Sequence, residues 1–153
     1  MSHLEIAAFI LNVLGVWLTS KQYRICWLVN IAAVVLYMII FYQVHLYADA
    51  MLQGVFIIMQ LYGWLSWTKA SAAKPLHAGY MHKAVMARSL LIGTAAGLLL
   101  GLLFSTYTQA SLPWLDSMLA SFSLVASYWA ARKYIESLAM WCVLDALYVL
   151  MYL

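Results

Sequence analysis

The side chains able to do chemistry in this sequence are few, and most lie inside long apolar runs. Asp145 has Trp141 to Leu144 on one side and Ala146 to Leu150 on the other. A carboxylate in the middle of a membrane span costs about 2.5–3.5 kcal/mol even on the lenient insertion scale, so it needs a partner. That partner is a cationic ligand, a proton or a buried amide; the bland alternative is a protonated carboxyl bonded to a neighbouring helix. Trp141 precedes Asp145 by four residues and Tyr148 follows it by three, which on a helix gives the three one face. Aromatic faces beside a carboxylate suit a flat cation.

Amides and further aromatics accompany them. Asn30 and Tyr37 are seven residues apart, as are Gln53 and Gln60, so each pair shares a helical face. Bonding between helices would account for these amides equally well. Gln60 leads into Gly63-Trp64-Leu65-Ser66-Trp67. Trp64 and Trp67 can hold a ring, or can belong to the aromatic belt at the membrane boundary. Trp17, Trp27, Trp114 and Trp129 read as belt or packing residues. His45, His77 and His82 read as solvated loop residues.

Other chemistries lack their parts. No phosphate-binding glycine loop, His-Glu-x-x-His pair or Gly-x-Ser-x-Gly elbow occurs. Glu5, Asp49, Asp116, Glu136 and Asp145 are scattered. Cys26 and Cys142 have neither a disulfide framework nor metal-site spacing. The expectation is a protein that is not an enzyme and carries no cofactor or metal.

The elements that must position these residues follow from composition. Of 153 residues, 67% are apolar and 8% are charged, against about 25% charged in a soluble domain. A soluble domain is excluded, and so is disorder, which needs few apolar residues. In a bilayer each spanning helix takes about 20 apolar residues, and the polar breaks predict six spans: about 4–20, 24–44, 47–68, 87–107, 112–131 and 134–153. Unbroken runs such as Ile31 to Phe41 exclude the alternation of a membrane barrel. Met1-Ser2-His3-Leu4-Glu5 lacks a basic leader region, so the first segment is expected to be a retained helix. The fold class is an all-α integral membrane protein, one transmembrane domain over 1–153.

The formal charge of +3 is a topology signal, and no nucleic-acid partner is expected. Lys21 and Arg24 lie between helices 1 and 2; Lys69, Lys74, Lys83 and Arg88 between 3 and 4; Arg132 and Lys133 between 5 and 6. The other connections carry no basic residue. By the positive-inside rule the basic side is cytoplasmic and the N-terminus is outside. Helix 4, with Gly93, Gly97 and Gly101, reads as a close-packing or connecting helix.

Helices 1–2 resemble helices 5–6. Trp17-Lys21-Tyr23 answers Trp129-Lys133-Tyr134, Glu5 answers Asp116, Asn30 answers Asp145 and Tyr37 answers Tyr152, at offsets drifting from 111 to 115 residues. The reading is a first three-helix repeat over 4–68, a connecting helix over 87–107 and an incomplete second repeat over 112–153. A single inserted helix makes two three-helix units parallel.

Specific motifs carry a family resemblance. Trp27-Leu-Val-Asn30, Phe41-Tyr42-Gln43, Leu46-Tyr47-Ala48-Asp49, Leu52-Gln53, Tyr62-Gly63-Trp64-Leu-Ser-Trp67, Leu115-Asp116-Ser117, Ala131-Arg132-Lys133-Tyr134-Ile-Glu136 and Trp141-x-x-x-Asp145 resemble the PnuC-type vitamin transporters over nearly the whole chain. The resemblance implies a seven-helix, SWEET-like 3+1+3 parallel-repeat fold, a homotrimer in the bacterial inner membrane, and import of nicotinamide riboside, with relatives carrying thiamine or riboflavin. It implies facilitated diffusion, with a cytoplasmic kinase trapping the vitamin by phosphorylation. It also implies a site between the repeats, lined by aromatic and amide side chains. Here those would be Asn30, Tyr37, Gln53, Gln60, Trp64, Trp67, Trp141, Asp145 and Tyr148. Aromatics would take the flat pyridinium, amides the ribose hydroxyls and Asp145 the charge. Two positions depart: Asp145 stands where many nicotinamide riboside members carry Asn, and Leu138 lies near a position where they carry Trp. Thiamine is therefore the alternative substrate. Against seven helices, six are expected here, from a shortened chain or from a six-helix protein completed by a partner. A non-transporting membrane scaffold is the other functional class; it requires Trp64, Trp141 and Asp145 to face neighbouring helices.

Overall fold

The computed structural model describes residues 2–45, 47–73, 77–107, 109 and 112–152, with backbone alone at 71–73 and 151–152. Leu46, Lys74 and Leu153, and the side chain of Tyr152, lie outside the described residues. The elements are six helices: α1 (His3–Ser20), α2 (Cys26–Gln43), α3 (Tyr47–Ala73), α4 (Lys83–Tyr107), α5 (Pro113–Ala131) and α6 (Glu136–Tyr152). Among the described residues there is no strand, only one bridge between Gly79 and Tyr134. By length and composition alone, α1, α2 and α4 are long and apolar enough to cross a membrane.

The ends follow local chemistry. Ser2 and Glu5 form a reciprocal cap on α1: the Glu5 N–H donates to Ser2 Oγ at 3.3 Å and the Ser2 N–H to Glu5 Oε2 at 2.8 Å. Pro113 starts α5 at a position where its missing N–H costs nothing. The expected ends of helices 3 and 4 are corrected. α3 continues to Ala73 and α4 already begins at Lys83. Polarity marks where the apolar span stops, but the backbone ladder runs on through good helix formers such as Lys69, Ala70 and Ala84. The His82 side chain, whose Nδ1 accepts the Ala84 N–H at 3.3 Å, caps the start of α4.

The chain divides into two compact units, Met1–Leu76 and His77–Leu153. In the first, α2 packs against both α1 and α3. In the second, α5 packs against both α4 and α6. The α4–α5 seam is close because Gly93 and Gly97 leave room for Val125, Phe122 and Met118, the small-residue packing expected for helix 4. Ser121 Oγ donates across the seam to the Gly93 carbonyl at 2.7 Å, and the Trp129 indole N–H donates to Ser89 Oγ at 3.1 Å. Trp129 is thus a packing residue. Ser121→Ala is expected to destabilise the chain by about 1 kcal/mol, the net worth of such a bond, read as a lowered denaturation midpoint in detergent. On the other side of α5, Leu119, Ala126 and Leu144 form a buried cluster with Phe122, Met140, Trp141 and Tyr148 against it.

The segment before α4 is pinned to the α5–α6 turn. The Gly79 N–H donates to Lys133 O at 3.2 Å, the Ile135 N–H to Gly79 O at 3.1 Å, and the Met81 N–H to Glu136 Oε1 at 2.9 Å. Glu136 is therefore tied to backbone through one of its oxygens.

The α1–α2 and α5–α6 turns are built alike, bond for bond. In the first, Lys21, Gln22 and Tyr23 donate to Trp17, Thr19 and Leu18 at 3.2, 2.9 and 3.1 Å. In the second, Arg132, Lys133 and Tyr134 donate to Tyr128, Ala130 and Trp129 at 3.1, 3.0 and 3.0 Å. Gln22 (φ 57°) and Lys133 (φ 56°) take the same left-handed backbone. Every pair stands 111 residues apart. Buried positions keep that interval through the flanking helices: Ala8 with Leu119, Gly15 with Ala126, Cys26 with Ser137 and Ala33 with Leu144. The pairings of Asn30 with Asp145 and Tyr37 with Tyr152 are four residues off this register. The counterparts are Trp141 and Tyr148. Four residues is close to one helical turn, so matching polar types along a helix can slip by a turn and stay on the same face.

Candidate functional site

The nine candidate residues fall into two groups, one in each unit. In the first unit, Asn30 and Tyr37 are on α2, and Gln53, Gln60, Trp64 and Trp67 are on α3. The two helices run antiparallel from the turn at Val44–His45, where the Tyr42 and Tyr47 rings meet at 5.4 Å. The Trp27 ring of α2 lies against Gly63 of α3, where an added Cβ would come within 2.3 Å of Cζ3 and 2.4 Å of Cη2. Gln60 lies three residues before Gly63, about one helical turn away on the same helix.

Trp27, read as a belt or packing residue, packs: it is 3% exposed and lies between Gly63 and Trp67, whose ring meets it edge-on at 5.5 Å and 85°. Trp67 is itself 5% exposed.

Two polar atoms in this seam are buried without a hydrogen-bond partner: Trp27 Nε1 and Gln60 Oε1. Each unmatched group costs about 1–3 kcal/mol, and natural proteins leave few of them. Gln60 is one turn from Gly63, so both atoms belong to the same stretch of the α2–α3 seam. Asn30 also touches α1, its Oδ1 lying where a Cβ on Gly15 would be. Tyr37 stacks on Phe41 with ring centroids 6.3 Å apart. Tyr37, Gln53 and Trp64 are partly buried.

In the second unit, Trp141, Asp145 and Tyr148 do not act as one face. Trp141 and Tyr148 turn toward α5, packing on Leu119, Ala126 and Leu144, and the Tyr148 hydroxyl lies 3.5 Å from Ser123 Oγ. Asp145 is exposed. The reason is geometric: Trp141, Leu144 and Tyr148 form the i, i+3, i+7 stripe that meets α5, and Asp145 lies about 100° round the helix from Leu144. Its position, nine residues into α6, puts the carboxylate about 14 Å along the helix axis. Among the described residues no group of three or more His, Cys, Asp or Glu could hold a metal ion.

What this arrangement offers is a buried aromatic seam with unmatched donor and acceptor atoms in one unit, and an exposed carboxylate on an apolar helix in the other. Comparison with known proteins gives it a context. The chain is 24% identical to the nicotinamide riboside transporter PnuC of Escherichia coli (strain K12) over 178 residues, covering 99% of this chain and 74% of that one. The nicotinamide riboside transporter PnuC of Shigella flexneri matches to the same extent. No solved structure matches the chain. The nicotinamide mononucleotide transporter family matches residues 2–153. With its apolar helices, that match makes this a multi-pass membrane protein, and the chain belongs to the nicotinamide mononucleotide transporter family.

Proposed function

We propose that the protein carries nicotinamide riboside across the bacterial inner membrane by facilitated diffusion, the vitamin being trapped inside by phosphorylation. The observation that carries this reading is the α2–α3 seam. It combines two buried indoles with an amide acceptor that has no partner inside the protein. A flat pyridinium suits indole faces, and a ribose suits the amides of Asn30, Gln53 and Gln60 and the hydroxyl of Tyr37. A carboxylate on a membrane helix is stable only with a partner, and Asp145 is the acidic side chain that a cationic vitamin would meet during passage. Trp64 and Trp67 complete the aromatic wall of the first unit; Trp141 and Tyr148 orient α6 around Asp145. The relatives named as nicotinamide riboside transporters support the choice of vitamin.

The wider reading is a 3+1+3 parallel-repeat carrier that assembles as a homotrimer, with its basic connections in the cytoplasm and its N-terminus outside. The like-built turns at an interval of 111 residues support the repeat. Thiamine, another flat cation, is the second candidate substrate. A packing role is favoured for Trp141 and Tyr148 taken alone, since both rest on the α5 core.

The test is binding and uptake. A vitamin at one hundred times its dissociation constant stabilises its carrier by about 2.7 kcal/mol, so nicotinamide riboside is expected to raise the melting temperature in a vitamin panel. Asp145→Ala is expected to cut uptake of labelled nicotinamide riboside at least about tenfold, a loss of about 1.4 kcal/mol. Stabilisation by no vitamin, or unchanged uptake by the variant, would count against the reading.

A further inference from the structure

The segment ahead of α4 is held to the α5–α6 turn by three bonds that the turn itself does not need. The Gly79 N–H donates to Lys133 O, the Ile135 N–H to Gly79 O, and the Met81 N–H to Glu136 Oε1. The α1–α2 turn has the same internal bonds and the same left-handed residue, with Ile25 where the second turn has Glu136. The carboxylate is therefore not required to build such a turn. Nor is it required to seat α4, whose Gly93 and Gly97 already fit side chains of α5. What the bonds add is a tie between the lead-in to α4 and the first turn of α6. That tie carries a built-in penalty. Glu136 Oε2 is buried with no hydrogen-bond partner, and an unmatched buried oxygen costs more when it is charged, an amount of the same order as a good bond. Opening the tie lets both carboxylate oxygens meet water. The helix it holds has little else: α2, its counterpart, packs between two helices, whereas among the described residues α6 packs on α5 alone. Leu138, Val143, Val149 and Leu150 are left exposed.

We propose that Gly79–Met81 is a releasable latch on α6, and that α6 pivots about the α5–α6 turn when the latch opens. The unmatched oxygen of Glu136 keeps the closed state from being permanent. Because the latch grips the first turn of α6, the far half of that helix, which carries Asp145, moves most. The device goes beyond the carrier reading and does not depend on which vitamin is carried. It also makes an unusual demand on Glu136: glutamine should hold the latch better than glutamate. The amide keeps an acceptor for the Met81 N–H and puts a neutral group where the unmatched charged oxygen lies, which lowers the cost of closing.

The experiment uses the whole chain in lipid nanodiscs and follows amide hydrogen exchange at Gly79, Met81 and Ile135. Amides of α4 and α5 along the Gly93–Ser121 contact are the reference. In the unaltered chain the three latch amides should exchange together, at least about a hundredfold faster than the reference, as a local opening does. That readout stands even if a variant fails to fold. Glu136→Gln should slow all three by about tenfold, including the two that do not touch its side chain. Gly79→Pro, which lacks the N–H for Lys133 O, should speed Met81 and Ile135 by about tenfold. Gly79→Ala is the control, since an added Cβ there meets nothing within 4 Å. The pivot is read as the distance between spin labels at Leu99→Cys on α4 and Val149→Cys on α6, both exposed, with the exposed Cys142 changed to alanine. Two distances are expected, one enriched by Glu136→Gln and the other by Gly79→Pro. Latch amides as slow as the reference, three unrelated rates, faster exchange in Glu136→Gln, or one label distance common to both variants would overturn the inference.

Discussion

Gly63→Ala is expected to destabilise the first unit by about 2–3 kcal/mol, the upper part of the range for overpacked interiors. The added Cβ would sit 2.3–2.5 Å from three ring carbons of Trp27. A flexible side chain could yield at its tip, but an indole cannot. Its other edge already meets Trp67 at 5.5 Å, and the ring is buried. Either Trp27 leaves the seam or α3 lifts from α2. Both outcomes disturb the stretch of the seam that holds Gln60, one helical turn from Gly63, so binding of nicotinamide riboside should fall with stability. Gly54→Ala is the control. On the same helix, an added Cβ there meets nothing within 4 Å, and alanine is worth up to about 1 kcal/mol over glycine in a helix. Denaturation midpoints in detergent should therefore move in opposite directions for the two variants. A Gly63→Ala protein as stable as Gly54→Ala would show that the Trp27 seat does not hold the hairpin.

Gly97→Leu is the second large effect, expected at about 3 kcal/mol. Here the response should depend on size. A single methyl at Gly97 lies 2.6 Å from Met118 Sδ, which can swing aside, and 3.3 Å from Met118 Cα, which cannot. Gly97→Ala is therefore tolerable, with a loss of at most about 1 kcal/mol once methionine adapts. A leucine must displace the α5 backbone. That separation would also stretch the Ser121–Gly93 and Trp129–Ser89 bonds, so the penalty spreads along the seam. The same denaturation assay checks it, with the alanine and leucine variants side by side. Equal losses for both would mean that α4 and α5 are not in close backbone approach.

Much of the fold was legible because the bilayer leaves few choices. An apolar run without water must form a helix to satisfy its own backbone, so six apolar stretches became six helices. The basic residues marked alternate connections. Gly93 and Gly97 announced a close seam because absence of a side chain is a packing statement. Legibility stopped where the answer depended on rotation about a helix axis. Trp141, Asp145 and Tyr148 are within one broad face by spacing, yet a third of a turn decides that Asp145 is exposed while the other two rest on α5. Neighbouring rings are also indistinguishable by type: Trp17 ends one apolar stretch and Trp27 begins the next, but Trp27 is 3% exposed and Trp17 54%.

The amino-acid sequence by itself determined the solvent, the helices, the short supply of polar atoms within them and the family motifs that run through them. These depend on composition and on local spacing, which act along one chain segment at a time. Only the tertiary structure decided which of those atoms share a seam. The Trp27 ring of α2 packs on Gly63 of α3, and the like-built turns set the interval of 111 residues in place of the drifting one. Both depend on contacts between segments, where a slip of one helical turn preserves every local pattern and changes every partner.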